Sequence, residues 1–197
     1  MQKHAAEIKK RVLIGITGAS GQIYARAIIN ALEQEKKEGN NIEFEAILTS
    51  TAIDVWEKEL GEKAPRNGSN PYIINNSDFG NRNASGSNCA DVMIIVPCSM
   101  GTIGRIAAGT SDTLLLRAAD VMLKERKMLI LAPRETPYSL IHLRNMTTLS
   151  EAGAIIAPAS PSFYKEPRNL EELADTFAYR LLNLAGITTL KEKYRWG

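Results

Sequence analysis

At 197 residues the chain is long enough for one domain with a sizeable core, and 44% hydrophobic with 23% charged residues is an ordinary globular composition. A net charge of +2 and 6% aromatic residues give neither the basic footprint nor the stacking platforms of a nucleic-acid binder, and no apolar stretch approaches the length of a membrane span. Two cysteines and two histidines are too few for a disulfide framework or a Cys/His metal centre, so a reducing cytoplasm is the expected compartment.

Residues 1–10 read as a polar extension without the apolar core of a secretory signal. The apolar run 12–17 predicts a first strand, which leads through Gly18, Ala19, Ser20 and Gly21 into a helical pattern from 23 to about 36. Glycines at a strand–helix junction let a ligand approach the backbone, and the helix amino terminus offers N–H groups to a phosphate. The same glycines also suit a plain tight turn. A nicotinamide enzyme of this pattern would carry an acidic residue after the second strand. Here the second strand, 44–49, ends in Leu48-Thr49-Ser50-Thr51. It also lacks a tyrosine followed four residues later by lysine, so NAD is disfavoured.

A short helix at 52–60 carries Glu59, which alone reads as a surface glutamate. Residues 61–88 are polar and rich in Gly, Asn and Ser, with one short strand at 72–74; so long a loop is usually functional or mobile. The third clear strand, 92–97, precedes Pro97-Cys98-Ser99-Met100-Gly101-Thr102, where Ser99 is either a helix cap or a ligand contact. Cys98 reads as a small core residue. A helix over 111–127, capped by Thr110 or Ser111, runs into an apolar strand at 128–133 that stops at Arg134 and Glu135. The stretch 117–135 holds five basic side chains and three acidic ones around that strand. Arg117 and Lys124, seven residues apart, share a helix face, and Arg134 and Glu135 are ion-pair candidates. Together these charges suggest a site for a phosphorylated ligand.

A helix near 139–150, a strand at 154–158 and a last helix over 169–185 continue the alternation, with Asn169 and Glu172 spaced as a capping box. Arg180 falls in an apolar stripe of Leu173, Phe177, Leu181 and Leu184, where it either snorkels to water or faces an anion. Tyr164 lies in the loop before that helix and alone reads as a packing residue. Strands alternating with helices, apolar on both faces, predict an α/β fold: one Rossmann-like three-layer domain with a mainly parallel sheet. Ligands then bind beyond the carboxyl ends of the strands.

The chain resembles the UbiX/Pad family of flavin prenyltransferases. The matching pieces are residues 17–21 (Thr-Gly-Ala-Ser-Gly), 97–99, 117–126, 133–135, 141–146, 153–154, 163–164 and the terminal Arg195-Trp196-Gly197; the departure is 61–83. The resemblance implies that a dimethylallyl group from dimethylallyl phosphate is attached to N5 and C6 of reduced FMN, without a metal. The product is prenylated FMN, the cofactor of UbiD-type decarboxylases. It implies that Gly18, Ala19 and Ser20 hold the FMN phosphate end, with Thr49, Ser99, Met100, Gly101, Thr102 and Arg134 around the flavin. It assigns Lys124, Arg134, Glu135, Tyr164 and Arg180 to the substrate phosphate, and Glu59 to proton transfer. Residues 85–87 would line the flavin, the 186–197 tail with Trp196 would close over a site, and the assembly would be a homo-oligomer, commonly a dodecamer. A flavin-dependent cysteine decarboxylase of related fold would need an early active histidine and a Pro-Ala-Ser-Ala-Asn motif. Here no histidine falls between His4 and His142. A non-catalytic flavin carrier for a decarboxylase would have no use for a second phosphate clamp.

Overall fold

Strands with no polar alternation can only be covered on both sides, and the computed structural model, which describes residues 9–187, builds the molecule around three of them. β1 (Lys10–Ile16), β4 (Val92–Cys98) and β5 (Met128–Pro133) are almost wholly buried. β2 (Ile42–Leu48) alternates in its first half, where Glu43 and Glu45 turn out to meet Arg82. β3 (Ile73–Ile74) and β6 (Ile155–Ile156) are two-residue edge strands, shorter than the sequence pattern suggests. Short edges leave little unpaired backbone for another sheet to capture. The order is β3-β2-β1-β4-β5-β6 and every pairing is parallel.

Alternate residues of the strands feed two cores. Val12, Ile14, Ile94 and Ile130 pack with α1 (Gln22–Lys37), α2 (Ser50–Leu60) and α6 (Leu170–Leu184). Leu13, Met93, Ile95 and Leu131 pack with α3 (Met100–Ala107), α4 (Leu114–Lys124) and α5 (Leu140–Glu151). Tyr24 of α1 meets Phe177 of α6 edge-on at 5.2 Å, a favoured aromatic geometry.

Two capping expectations change. α4 begins later than expected, with Thr113 rather than Thr110 or Ser111 as its cap. The cause is tertiary: Asn76, just past β3, accepts from Leu114 N through its carbonyl (2.8 Å) and from Leu115 N through its side chain (2.9 Å). At α6, Asn169 accepts from Glu172 N (2.8 Å), but the Glu172 carboxylate reaches the N–H of Arg168 rather than that of Asn169. The reciprocal box appears instead at α5, between Ser139 and His142. The polar 61–88 stretch is pinned by Asn83, nearly fully buried, which bonds Glu45, Asn81 and Ala90 N. Residues 1–8 and the Trp196 tail lie outside the described residues.

Candidate active site at the carboxyl edge of the sheet

Strand order reverses between β1 and β4, which opens a crevice where their carboxyl ends diverge. Thr17, 1% exposed, ties the two ends together. Its hydroxyl donates to Pro97 O (2.7 Å) and accepts from Ser99 N (2.9 Å). The turn that follows must be glycine-rich for two reasons. A Cβ on Gly18 would stand 2.5 Å from Thr51 Oγ1, and Gly21, at the α1 cap, has a left-handed φ of 104°. Gln22 bonds the turn from inside, its Nε2 donating to Thr17 O (2.9 Å) and Ala19 O (2.8 Å).

Glu59 arrives from the last turn of α2 and accepts from Gly21 N (2.9 Å) and Gln22 N (2.9 Å). A carboxylate there satisfies free N–H groups and complements the positive end of the helix dipole. Burial works to raise the Glu59 carboxyl, but hydrogen bonds from Ser20, Gln22 and Gly21, with the Arg134 charge nearby, outweigh it and hold the group below its ordinary range. The lone surface glutamate of the sequence is thus the cap of α1.

Thr49 and Ser99 do the same work at the neighbouring strand ends. Thr49 caps α2 through Ala52 N (3.1 Å) and contacts the Thr51 hydroxyl at 3.1 Å. Ser99 caps α3 through Thr102 N (3.2 Å), with the Thr102 hydroxyl 3.0 Å away. The capping reading of Ser99 is right, and the cap still leaves hydroxyls along the crevice. Met100 is buried in the core, while Gly101 is open, with nothing within 4 Å of an added Cβ. Cys98 is fully buried, and burial pushes its thiol pKa up, as suits a core residue.

Arg134 and Glu135 leave β5 at the same edge but do not pair with each other. The Glu135 carboxylate accepts from Thr136 N (2.9 Å), whereas Arg134 turns the other way. Its Cγ lies 3.9 Å from a Cβ built on Gly21, and its charge acts on Glu59 and Tyr24. Consecutive residues at a strand end point to opposite sides, so the expected ion pair is replaced by two separate groups. Tyr164, 52% exposed, lies on the loop past β6. Arg180 is exposed beside that loop, at the mouth of a cleft of about 330 Å³ lined by Ile155, Pro158, Ser160, Ser162 and Phe177.

Lys124 is elsewhere. α4 runs back down the sheet, so its last residue lies near the start of β5, while Arg134 follows the end of β5. Six residues of strand separate the two edges by about 20 Å. Residues 85–87 share the lower edge: a Cβ on Gly86 would stand 2.8 Å from Lys124 Nζ, and Lys124 contacts the Glu125 carboxylate. Arg117 is engaged by Asp120 (2.8 Å) and Ala84 O (3.1 Å). The single clamp expected from the 117–135 run is therefore split across the molecule.

Thr17, Gln22, Thr51 and Tyr24 belong to the site's scaffold; in the sequence Thr17 stands out only as the start of the matching 17–21 stretch and Thr51 only as part of the second strand's end, while Gln22 and Tyr24 carry no signal. A larger cleft of about 1020 Å³ lies on the outer face of α1, but ion pairs Arg26–Glu62 and Arg66–Glu57 line it and no strand end reaches it. Among the described residues no helix is long and apolar enough to cross a membrane, and no group of three or more His, Cys, Asp or Glu is placed to hold a metal ion.

A parallel sheet with a glycine turn and capped strand ends at its switch point is an architecture that flavin and nucleotide binders share, and the Flavoprotein family model, which matches residues 2–176, selects the flavoproteins among them. The chain belongs to this family and, within it, to the UbiX flavin prenyltransferases. It is 38% identical over 188 residues to flavin prenyltransferase UbiX of Pseudomonas aeruginosa, covering 90% of each chain. It superposes on the crystal structure of AnUbiX (PadA1) in complex with FMN and dimethylallyl pyrophosphate with a TM-score of 0.84 and 36% identity, over 96% of this chain and 98% of that one. A dodecameric FMN-dependent UbiX-like decarboxylase from Escherichia coli O157:H7 matches with a TM-score of 0.82 and 35% identity, over 95% and 99% of the two chains.

Proposed function

We propose that the chain is a single-domain enzyme that binds reduced FMN at the carboxyl edge and transfers to it the dimethylallyl group of dimethylallyl phosphate. The observation that carries this reading is the adjacency of three strand ends, β1, β2 and β4, which bring the 18–20 turn, Thr49 and Ser99 to one crevice beside Arg134. Reduced FMN, as acceptor, supplies the nucleophilic N5 and C6. Gly18, Ala19 and Ser20 take its phosphate end, and Thr49, Ser99, Met100, Gly101 and Thr102 flank the rest, Met100 through its backbone.

In the donor, the allylic C–O bond breaks with its electron pair leaving on the phosphate. Arg134 and Arg180, with Tyr164, meet that growing negative charge with fixed donors, which strengthens as the bond breaks. The same grip holds the allyl carbon against the acceptor and replaces an encounter with a position. As the C–O bond breaks, N5 of the reduced flavin bonds the allyl carbon and gives up its proton; the departing phosphate takes that proton, and Glu135 lies beside it. Glu59, held ionised, serves as a proton acceptor as well as a cap. Cations of the protein neutralise the leaving group, so the transfer needs no metal, and a chelator should leave turnover unchanged.

Lys124 and residues 85–87 enter this site from the lower edge of a second copy. Their distance from Arg134 within one subunit supports this, and the E. coli relative is dodecameric. The product, prenylated FMN, passes to a UbiD-type decarboxylase in the cytoplasm. Anaerobic incubation with reduced FMN and either dimethylallyl phosphate or the diphosphate should raise the flavin mass by one prenyl unit. An unchanged mass with both donors defeats the reading. Glu135→Gln and Arg180→Ala should lower turnover more than FMN binding.

A further inference from the structure

A turn that binds phosphate has to present N–H groups outward and keep its carbonyl oxygens out of the ligand's way, since a carbonyl facing a dianion repels it. Here one side chain collects those carbonyls. Gln22 is the first residue of α1 and is 0% exposed. Its amide nitrogen spends both hydrogens on the turn, on Thr17 O and Ala19 O, at 2.9 and 2.8 Å. Its backbone N–H goes to Glu59. The amide oxygen is buried and has no partner among the described residues.

That imbalance is informative. Rotating the amide by half a turn would bring its oxygen against two carbonyl oxygens, so the orientation is fixed by the turn. An unmatched buried acceptor is unfavourable, and a hydrophobic residue of similar shape would avoid it. The donor half is what the site uses. The connection extends further, because the tied Thr17 is also the residue whose hydroxyl joins β1 to Pro97 and Ser99.

We propose that Gln22 is a positioning residue for flavin selection: by holding the Thr17 and Ala19 carbonyls inward it keeps the 18–20 turn in the shape that accepts a phosphate monoester. It sets the preference for FMN over riboflavin, which has the same ring and ribityl chain but no phosphate. This rests on the reading that the 18–20 turn holds the FMN phosphate.

The test compares binding of FMN and riboflavin by flavin fluorescence for the full-length assembly, wild type against Gln22→Leu. Loss of two neutral hydrogen bonds predicts about tenfold weaker FMN binding, with riboflavin affinity unchanged. If Gln22→Leu does not fold, Gln22→Asn, which keeps the amide but falls one methylene short of the carbonyls, takes its place with the same expectation. Equal weakening of both flavins would reduce Gln22 to a packing residue and overturn the proposal, as would an unaltered FMN affinity. A wild-type protein that binds riboflavin as tightly as FMN would overturn the underlying phosphate reading itself, and the proposal with it.

Discussion

The two edges of the sheet use similar residues to different ends. The upper edge offers Ser20, Thr49, Ser99 and Arg134; the lower offers Ser85, Ser87 and Lys124. At the upper edge, α1, α2 and α3 all begin, so positive helix ends converge and hydroxyls are locked as caps. At the lower edge α4 ends, and a lysine at a helix carboxyl end is favoured by the dipole alone. There the serines contact each other at 3.2 Å and the lysine has a carboxylate neighbour. The difference teaches that residue type does not make an anion site; the end of the sheet does. On the proposed reading the upper edge receives an anion, whereas Lys124 at the lower edge serves a second copy rather than its own subunit.

The largest test of that contrast is subunit complementation. Glu135→Gln, at the upper edge, and Lys124→Ala, at the lower, should each reduce turnover on the order of a hundredfold. Mixed assemblies should recover activity, because some interfaces then pair an intact upper edge with an intact lower one. A mixture no more active than its parents would break the two-edge site. Thr17→Val should be next, as Ser99 N–H loses its buried acceptor at a cost of about 2 kcal/mol. The melting midpoint should fall by about 6 °C at fixed protein concentration. A midpoint within a degree of wild type would mean that the tie between β1 and β4 does not hold the upper edge together.

Glu59→Gln should cost about 1 kcal/mol at neutral pH, as for other helix caps. Its pH dependence sharpens the assignment. Because the folded carboxyl sits below its ordinary 4.5, the stabilisation is complete above that value and is lost as pH falls through the lower folded one. Melts of wild type and variant should therefore converge on acidification from pH 7 to 3; curves that diverge would contradict the cap. Smallest of all, Lys124→Ala should change stability by no more than about 0.5 kcal/mol, since its pairing with Glu125 is exposed. A larger loss would make Lys124 structural.

The alternating strands were legible because a doubly covered strand has to be apolar throughout, and Ser99 was legible as a cap because it follows a strand and precedes a helical run. The separation of Lys124 from Arg134 was not, although the clue was present. Ten residues apart in sequence, the two lie at either end of β5, and closeness along the chain concealed a full strand length. The start of α4 was hidden for another reason: Asn76, remote in sequence, decides which N–H groups need a cap. Glu59 and Gln22 were opaque because what they do depends on where a second segment lies, and a side chain's direction is set by packing.

The opposed placement of Lys124 and Arg134 has a consequence at the level of mass action. On the two-edge site, a lone subunit carries two unmatched halves, and catalytic competence appears only with contact between copies. Specific activity should then fall on dilution below the assembly's dissociation constant, even though each chain stays folded. A newly made chain would remain inert toward flavin and allylic phosphate until it finds its neighbours.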